Sequence, residues 1–198
     1  ILISSTNLVK KYIKKYKSKI KLLEIKTVEI NKINFSRDFV YIIDVNYKLV
    51  KDPKKYLNNC FIEAFKILKS GFTNKFLNGP ITKKNFLNKK FLGITEFIAH
   101  NVKAKKKAML IFNKKLSVCP ITTHLPISMV AKYINKKIIE EKVSLIYKFY
   151  KEEFKIKPRI GVLGLNPHCE SIKKYNEDDL ITKPAIKKLK KLNYKISG

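Results

Sequence analysis

The sequence predicts an α/β fold in which a sheet is flanked by helices. Three observations lead there. Short β-rich runs alternate with helix-length amphipathic stretches; glycine, proline or histidine punctuates the exits from those runs; and no repeat or low-complexity linker interrupts the pattern. A chain of 198 residues with 45% hydrophobic content can bury a core of one or two domains.

In chain order, Ile1-Leu2-Ile3-Ser4 reads as a buried strand, with Asn7 as the N-cap candidate of an amphipathic helix reaching about Tyr16. Ile25-Lys26-Thr27-Val28 and Val40-Tyr41-Ile42-Ile43 are β-branched runs and are expected strands. Asp52-Pro53 opens a helix, with Asp as N-cap and Pro in the first turn, where its missing N–H costs nothing. Leu57, Phe61, Ala64, Phe65 and Leu68 mark the buried face of that helix, and Gly71 closes it. Phe76-Leu77 leads into the loop Asn78-Gly79-Pro80, and Thr95 is placed to cap a short helix through Ala99. Ala108 to Phe112 and Leu116 to Cys119 are expected strands around a hairpin turn, Asn113-Lys114-Lys115. Helical sequence follows Pro126 to about Phe154, then a strand at Ile160 to Leu163, and a last helix from about Glu177 to Lys191.

Composition narrows the function classes. No apolar run approaches the ~20 residues needed to span a bilayer, and the stretch from Ile1 to Lys17 carries no small-residue cleavage site. No membrane partner is expected, and a cytoplasmic location is. Cys60, Cys119 and Cys169 form no CxxC pair, which suggests reduced thiols; Cys169 beside His168 reads as a small residue in a tight turn before it reads as a ligand. The net charge of +29 would favour phosphate-rich partners. Yet only Arg37 and Arg159 are arginine, the residue whose planar fork reads bases and phosphates, and the lysines run from Lys10 to Lys195. A solvated lysine surface is the better account, with a nucleic-acid-binding module as the rival. Both ends, Ile1 and Gly198, fall at apolar sequence, and an internal fragment incomplete at both ends is expected.

Ligands of α/β sheets sit in loops beyond the carboxyl ends of strands. That rule selects the loops at Gly79, Thr95, His124 and His168. His124 and His168 each follow a short expected strand, lie close to a proline (Pro126, Pro167) and precede a helix. Stiff backbone suits a metal ligand, and neutral imidazole suits zinc or another divalent transition ion. Spacing alone also allows two hydrogen-bonded loop histidines, and two ligands do not close a site. His100 has no such setting and reads as surface. Gly79-Pro80 and Gly93-Ile94-Thr95 suit anion contact through close backbone approach and a helix N-terminus, with a plain turn and a helix cap as the alternatives. No GxGxxG or GxxxxGK[ST] motif is present, and no residue is assigned to a dinucleotide or to proton transfer.

Together these loops resemble the 4-hydroxythreonine-4-phosphate dehydrogenase family of pyridoxal phosphate biosynthesis. The resemblance lies in Asn78-Gly79-Pro80-Ile81-Thr82-Lys83, Gly93-Ile94-Thr95-Glu96-Phe97, Ile121-Thr122-Thr123-His124-Leu125-Pro126 and Gly164-Leu165-Asn166-Pro167-His168, in that order, followed by Glu177-Asp178-Asp179 and Pro184-Ala185-Ile186. It is strong over 75–198 and weak over 1–74. It implies an isocitrate/isopropylmalate-dehydrogenase-like α/β sheet, with residues 1–86 in an N-terminal domain and 87–198 in a central metal-binding and dimerisation domain. It also implies a homodimer with active sites shared between subunits. The implied reaction is NAD-dependent oxidation of 4-phosphooxy-L-threonine, a phosphorylated hydroxy-amino acid, followed by decarboxylation to 3-amino-2-oxopropyl phosphate. A divalent metal, zinc with magnesium or cobalt as alternatives, is implied on three histidines, His124 and His168 matching the first two, while Thr95 matches a substrate-binding residue. Two departures follow. Ile94 stands where the family usually has a substrate-contacting histidine, which keeps a phosphorylated threonate or erythronate open as substrate. The third metal histidine and much of the NAD site are expected beyond Gly198, so the fragment alone is expected to be inactive.

Overall fold

The apolar run at the start of the chain becomes strand β1 (Leu2–Ser4), the first of three parallel strands. β2 (Lys21–Glu24) and β3 (Phe39–Asp44) complete the sheet with β3 in the centre, and register pairs Ile3 with Ile43 and Leu23 with Tyr41. The central strand is nearly all apolar, as a strand covered on both faces must be; Tyr41, Ile42 and Ile43 are buried. The computed structural model describes residues 1–50, 52–82, 86–87, 90–91, 93–165 and 176–198. Two units divide it, Ile1–Phe97 and Ile98–Gly198.

In the first unit the expected strand at Ile25 to Val28 is displaced. The strand ends at Glu24, and Thr27–Lys32 winds into a 3-10 helix. The Glu29 carboxylate accepts the Lys26 N–H at 3.4 Å, and the winding sends Ile30 into a core with Ile25, Tyr41, Ile43 and Ile67. Helix α1 (Thr6–Lys15) starts earlier than Asn7, with Ser5 at its N-cap. The cap comes from a neighbouring strand: Asp44 Oδ1, at the end of β3, accepts the Thr6 N–H at 2.7 Å. A short α2 (Tyr47–Val50) precedes α3 (Pro53–Lys69), which opens as expected. Asp52 accepts from the N–H groups of Lys54 (2.8 Å) and Lys55 (3.4 Å), a cap worth about 1 kcal/mol. Phe61, Ala64 and Phe65 are buried, and Ile67 completes that face where Leu68 was expected. Gly71, at φ +77°, ends it in the left-handed region that glycine adopts at no steric cost. Phe61 packs its ring at 5.0 Å from Phe97 and 5.4 Å from Phe86, so α3 also holds the start of α4 (Ile94–Asn101).

The second unit is built on one long helix and shorter ones packed around it. The expected single helix to Phe154 is two, α5 (Ile127–Tyr133) and α6 (Lys136–Phe154), because Asn135 takes an extended conformation and its side chain caps Ile138 N–H at 3.0 Å. Ile139 and Val143 of α6 pack with Ala185, Ile186 and Leu189 of α7 (Lys183–Lys191). The core is closed by two short parallel strands, β4 (Ile160–Gly161) and β5 (Ile196–Ser197). β4 is shorter than expected, since β5 offers only two residues to pair with it. The last helical segment begins near Glu177, but Asp178–Thr182 forms a π turn in which Lys183 N–H reaches back five residues to Asp178 O. Pro184 explains it: proline has no N–H to give and its ring crowds the preceding carbonyls, so the helix widens there. The expected hairpin survives as a single antiparallel bridge, Ile111 to Val118. Its turn is held by Asn113 Oδ1 accepting from Lys115 N–H at 2.9 Å and by Ser117 Oγ donating to Asn113 O. Sheet, flanking helices and parallel strands make this the mixed α/β fold that the sequence predicts.

Candidate metal and substrate loops

Thr95 lies half-buried inside the first turn of α4, not at its cap; Gly93, buried, holds the position ahead of the helix, and its carbonyl accepts the Phe97 N–H at 3.2 Å. A hydroxyl in the first turn stands beside backbone N–H groups that no intrahelical carbonyl takes. Beside it, Glu96 keeps one carboxylate oxygen, Oε2, buried and without a hydrogen-bond partner among the described residues.

The loop Asn78-Gly79-Pro80 lines a cavity of about 580 Å³ in the first unit, between β1 and α3. Its walls are mainly apolar, with Leu57, Phe61 and Phe76 among them, and Ser4, Tyr56, Cys60, Thr73, Lys75 and Asn78 are its polar lining. Burial pushes the Cys60 thiol above its ordinary pKa, against a hydrogen bond with Tyr56 that pulls the other way. Asn78 Nδ2 donates to Gly79 O at 3.1 Å, and a Cβ built on Gly79 would meet nothing within 4 Å. Packing within the described residues therefore does not require this glycine. Lys83, the last residue of that motif, lies outside the described residues.

His124 stands exposed in the loop from Pro120 to Pro126, and no hydrogen bond to its ring is found among the described residues. The loop follows the hairpin, an antiparallel bridge, and not a strand of a parallel sheet. It is anchored nonetheless: Ile121 packs against the core of the second unit, and Pro126 (φ −56°) leads directly into α5. Upstream, burial raises the Cys119 thiol above its ordinary value, with the Lys142 charge opposing. One exposed imidazole on an anchored loop can offer a nitrogen to a divalent ion, and among the described residues no acceptor holds its second nitrogen. Among the described residues, no three histidine, cysteine, aspartate or glutamate side chains converge.

His168, with Asn166, Pro167 and Cys169, lies outside the described residues. What leads to it is described. β4 runs into Gly164 and Leu165, and the Leu165 N–H points at Asp178, 3.2 Å from each carboxylate oxygen. Asn176 resumes the chain, buried, with Oδ1 accepting the Asp179 N–H at 3.0 Å. Sequence reading saw Glu177-Asp178-Asp179 only as an acidic helix start. That Asp178 turns inward while Asp179 turns out to Lys183, at 2.5 Å, follows from the winding of the helix on the core, which composition does not report.

Comparison with known proteins adds the following. The family model described as pyridoxal phosphate biosynthetic protein PdxA matches residues 1–198. A 4-hydroxythreonine-4-phosphate dehydrogenase of Aquifex aeolicus is 32% identical over 197 residues, which is 91% of this chain and 60% of that protein. One of Sulfurihydrogenibium is 42% identical over 115 residues, 56% of this chain and 36% of the relative. Among solved structures, a 4-hydroxythreonine-4-phosphate dehydrogenase of Klebsiella pneumoniae aligns with a TM-score of 0.81 at 20% identity, covering 99% of this chain and 62% of that one. One of Burkholderia phymatum gives 0.79 at 19% identity, covering 100% and 63%. These structural likenesses show the fold. The chain spans about 60% of the length of these fuller matches.

Proposed function

Since the chain belongs to the PdxA family of pyridoxal phosphate biosynthetic proteins, we propose that the full-length protein is an NAD-dependent, metal-assisted dehydrogenase of 4-phosphooxy-L-threonine. The secondary alcohol at C3 becomes a ketone, giving 2-amino-3-oxo-4-phosphooxybutanoate, which loses carbon dioxide to leave 3-amino-2-oxopropyl phosphate. The observation that carries this reading is the family match over the whole chain. When bound, a divalent cation (zinc first, magnesium or cobalt as alternatives) would stabilise the developing alkoxide and NAD would take up the hydride.

This chain's residues have two tasks in that reaction. His124 and His168 would hold the cation. Thr95 would bind substrate, through its hydroxyl and the free N–H groups of the first turn of α4. A homodimer with shared sites is part of the proposal, and the hairpin supports it. Strand alternation puts Phe112 and Ser117 on one face, where Phe112 stacks on Phe154 at 5.2 Å and Ser117 Oγ meets the Tyr150 hydroxyl at 2.8 Å. Ile111, Leu116 and Val118 fall on the other face, exposed at 61%, 75% and 53%. An uncovered apolar face on a two-stranded hairpin is what a contact with a second copy would use.

The test is NADH production by the full-length protein with zinc. Turnover of 4-phosphooxy-L-threonine is expected; turnover of phosphorylated threonate or erythronate alone would transfer the assignment to that substrate class, which Ile94 keeps open.

A further inference from the structure

Helix α4 has eight residues, too few for a helix to hold in isolation, so contacts with the rest of the fold must fix it. In the first unit Phe97 supplies such contacts. Its N–H is accepted by Gly93 O at 3.2 Å, which sets it one turn into the helix. Its ring meets Phe61 of α3 at 5.0 Å between centroids, Phe86 at 5.1 Å and Phe91 at 5.6 Å, with interplanar angles of 73°, 70° and 83°. Phe65 of α3 adds a tilted contact at 6.3 Å. Edge-on contacts are directional, because the positive edge of one ring faces the negative face of another, so a ring engaged by three of them is fixed in orientation as well as in place. The α3 wall of this socket is itself anchored: Phe61 and Phe65 are buried, on a helix capped by Asp52.

Thr95 stands two residues before Phe97, about 200° round the helix, so it projects from the opposite side. Holding Phe97 therefore sets the direction in which Thr95 leaves the helix. The leverage is direct. A rotation of about 15° about the axis moves a group roughly 4 Å from it by about 1 Å, and an offset of that size in a substrate-positioning group can cost about a hundredfold in turnover. Packing alone would be served by any apolar side chain of similar volume; an edge-keyed ring adds orientation.

We propose that Phe97 is a positioning residue, whose edge-on seating against Phe61, Phe86 and Phe91 fixes the rotation of the first turn of α4 and so the place of the Thr95 hydroxyl. The inference rests on the substrate-binding reading of Thr95 given above. The ring acts through the helix and does not itself meet the substrate.

The experiment is steady-state kinetics of the full-length protein with zinc and NAD, on whichever phosphorylated substrate it turns over, for Thr95→Ala, Phe97→Leu and the double variant. Leucine stays apolar and loses the ring edge. Phe97→Leu is expected to lower kcat/KM about tenfold in the parent and to change nothing further in the Thr95→Ala background, since both act through one hydroxyl. Ile67→Ala, in the core of the same unit among Ile25, Ile30 and Tyr41, is the control for general loosening, with a lowered melting temperature and kcat/KM within about threefold of the parent. Unchanged kcat/KM in Phe97→Leu overturns the proposal. So does a double variant whose loss is the product of the two single losses, or an Ile67→Ala loss as large as that of Phe97→Leu. Should Phe97→Leu not fold, Phe91→Leu, on a half-buried wall of the socket, decides: a fall in kcat/KM that vanishes in the Thr95→Ala background supports the proposal, and no fall overturns it. Full kcat/KM in Thr95→Ala would sink the substrate reading of Thr95 and this inference with it, whereas a loss with Thr95→Ala but none with Phe97→Leu would sink only the positioning role.

Discussion

Replacing Tyr56 by phenylalanine probes the junction that holds β1 against α3. The Tyr56 hydroxyl accepts the Ser5 N–H at 2.9 Å and pairs with Ser4 Oγ at 3.0 Å, joining residues more than fifty positions apart. Burial lifts the phenol above its ordinary pKa, while the bonds to Ser4 and Ser5 pull it down, so the hydroxyl is protonated across the neutral range. Tyr56→Phe keeps the ring and its edge contact with Tyr47 at 5.2 Å, so little packing is lost. What is lost is hydrogen bonding. Ser5 is only 1% exposed, and its N–H, deprived of an acceptor, cannot turn to water. A buried donor left unpaired costs about 1–3 kcal/mol, and Ser4 Oγ, half-buried, adds little because it can turn towards the adjoining cavity. A destabilisation of about 2 kcal/mol is expected, or roughly 4–8 °C in the melting temperature of a chain this size. Urea unfolding followed by far-UV circular dichroism measures it, with the urea dependence unchanged. A loss under about 0.5 kcal/mol would mean that Ser5 finds another acceptor, and the account of this junction would be wrong.

Three further outcomes are expected. His124→Ala in the full-length protein removes zinc and NAD-linked activity together; equal zinc content in variant and parent refutes the ligand assignment. Glu63 joins α3 to the 3-10 helix, accepting Thr27 Oγ1 and Lys66 Nζ at 2.6 Å each; burial pushes its pKa up, but these two donors outweigh burial and leave it below the ordinary value. Its contribution is therefore present above the unfolded-state pKa of about 4.3 and lost as pH falls through the lower folded value. The stability gap between parent and Glu63→Gln should accordingly be constant from neutral pH to about pH 5 and close below pH 4, and a gap that widens on acidification contradicts the assignment. Leu116→Lys, on the exposed face of the hairpin, is expected to shift the full-length protein towards monomer in light scattering by about tenfold in dissociation constant, as one lost apolar anchor would; an unchanged dimer places the interface elsewhere.

What the sequence reveals depends on whether a residue's partner is near in the chain. Asp52-Pro53 and Gly71 bound α3 as expected because capping acts within four residues. The turn at Asn113 is legible for the same reason. Asn7 misleads because the true cap, Asp44, arrives from another strand thirty-eight residues away. Ile25 to Val28 mislead because a tertiary demand, the burial of Ile30, overrides β propensity. In the site, the loop of His124 and its proline are legible, but the anchoring of that loop by Ile121 and the inward turn of Asp178 are not, since both depend on a core assembled from distant segments.

The placement of the lysines bears on the remaining rival, nucleic-acid binding. Lysine falls in the last turn of α1 (Lys14, Lys15), α3 (Lys66, Lys69), α6 (Lys151) and α7 (Lys188, Lys190, Lys191). There a cation meets unpaired carbonyls and the negative end of the helix dipole, worth about 0.3–1 kcal/mol each at the surface. On α7 the division of labour is plain: Ala185, Ile186 and Leu189 enter the core, and Lys187, Lys188, Lys190 and Lys191 stay in water, Lys188 reaching Glu140 on α6 at 2.7 Å. A duplex-reading surface asks for something else: arginine forks, or first-turn residues of a helix directed at base edges. Other lysines, Lys54, Lys55, Lys136, Lys137 and Lys183, stand in first turns, where the dipole does not favour them. With lysines on the helices of both units and arginine only at Arg37 and Arg159, the basic residues lack the forks that such a surface uses.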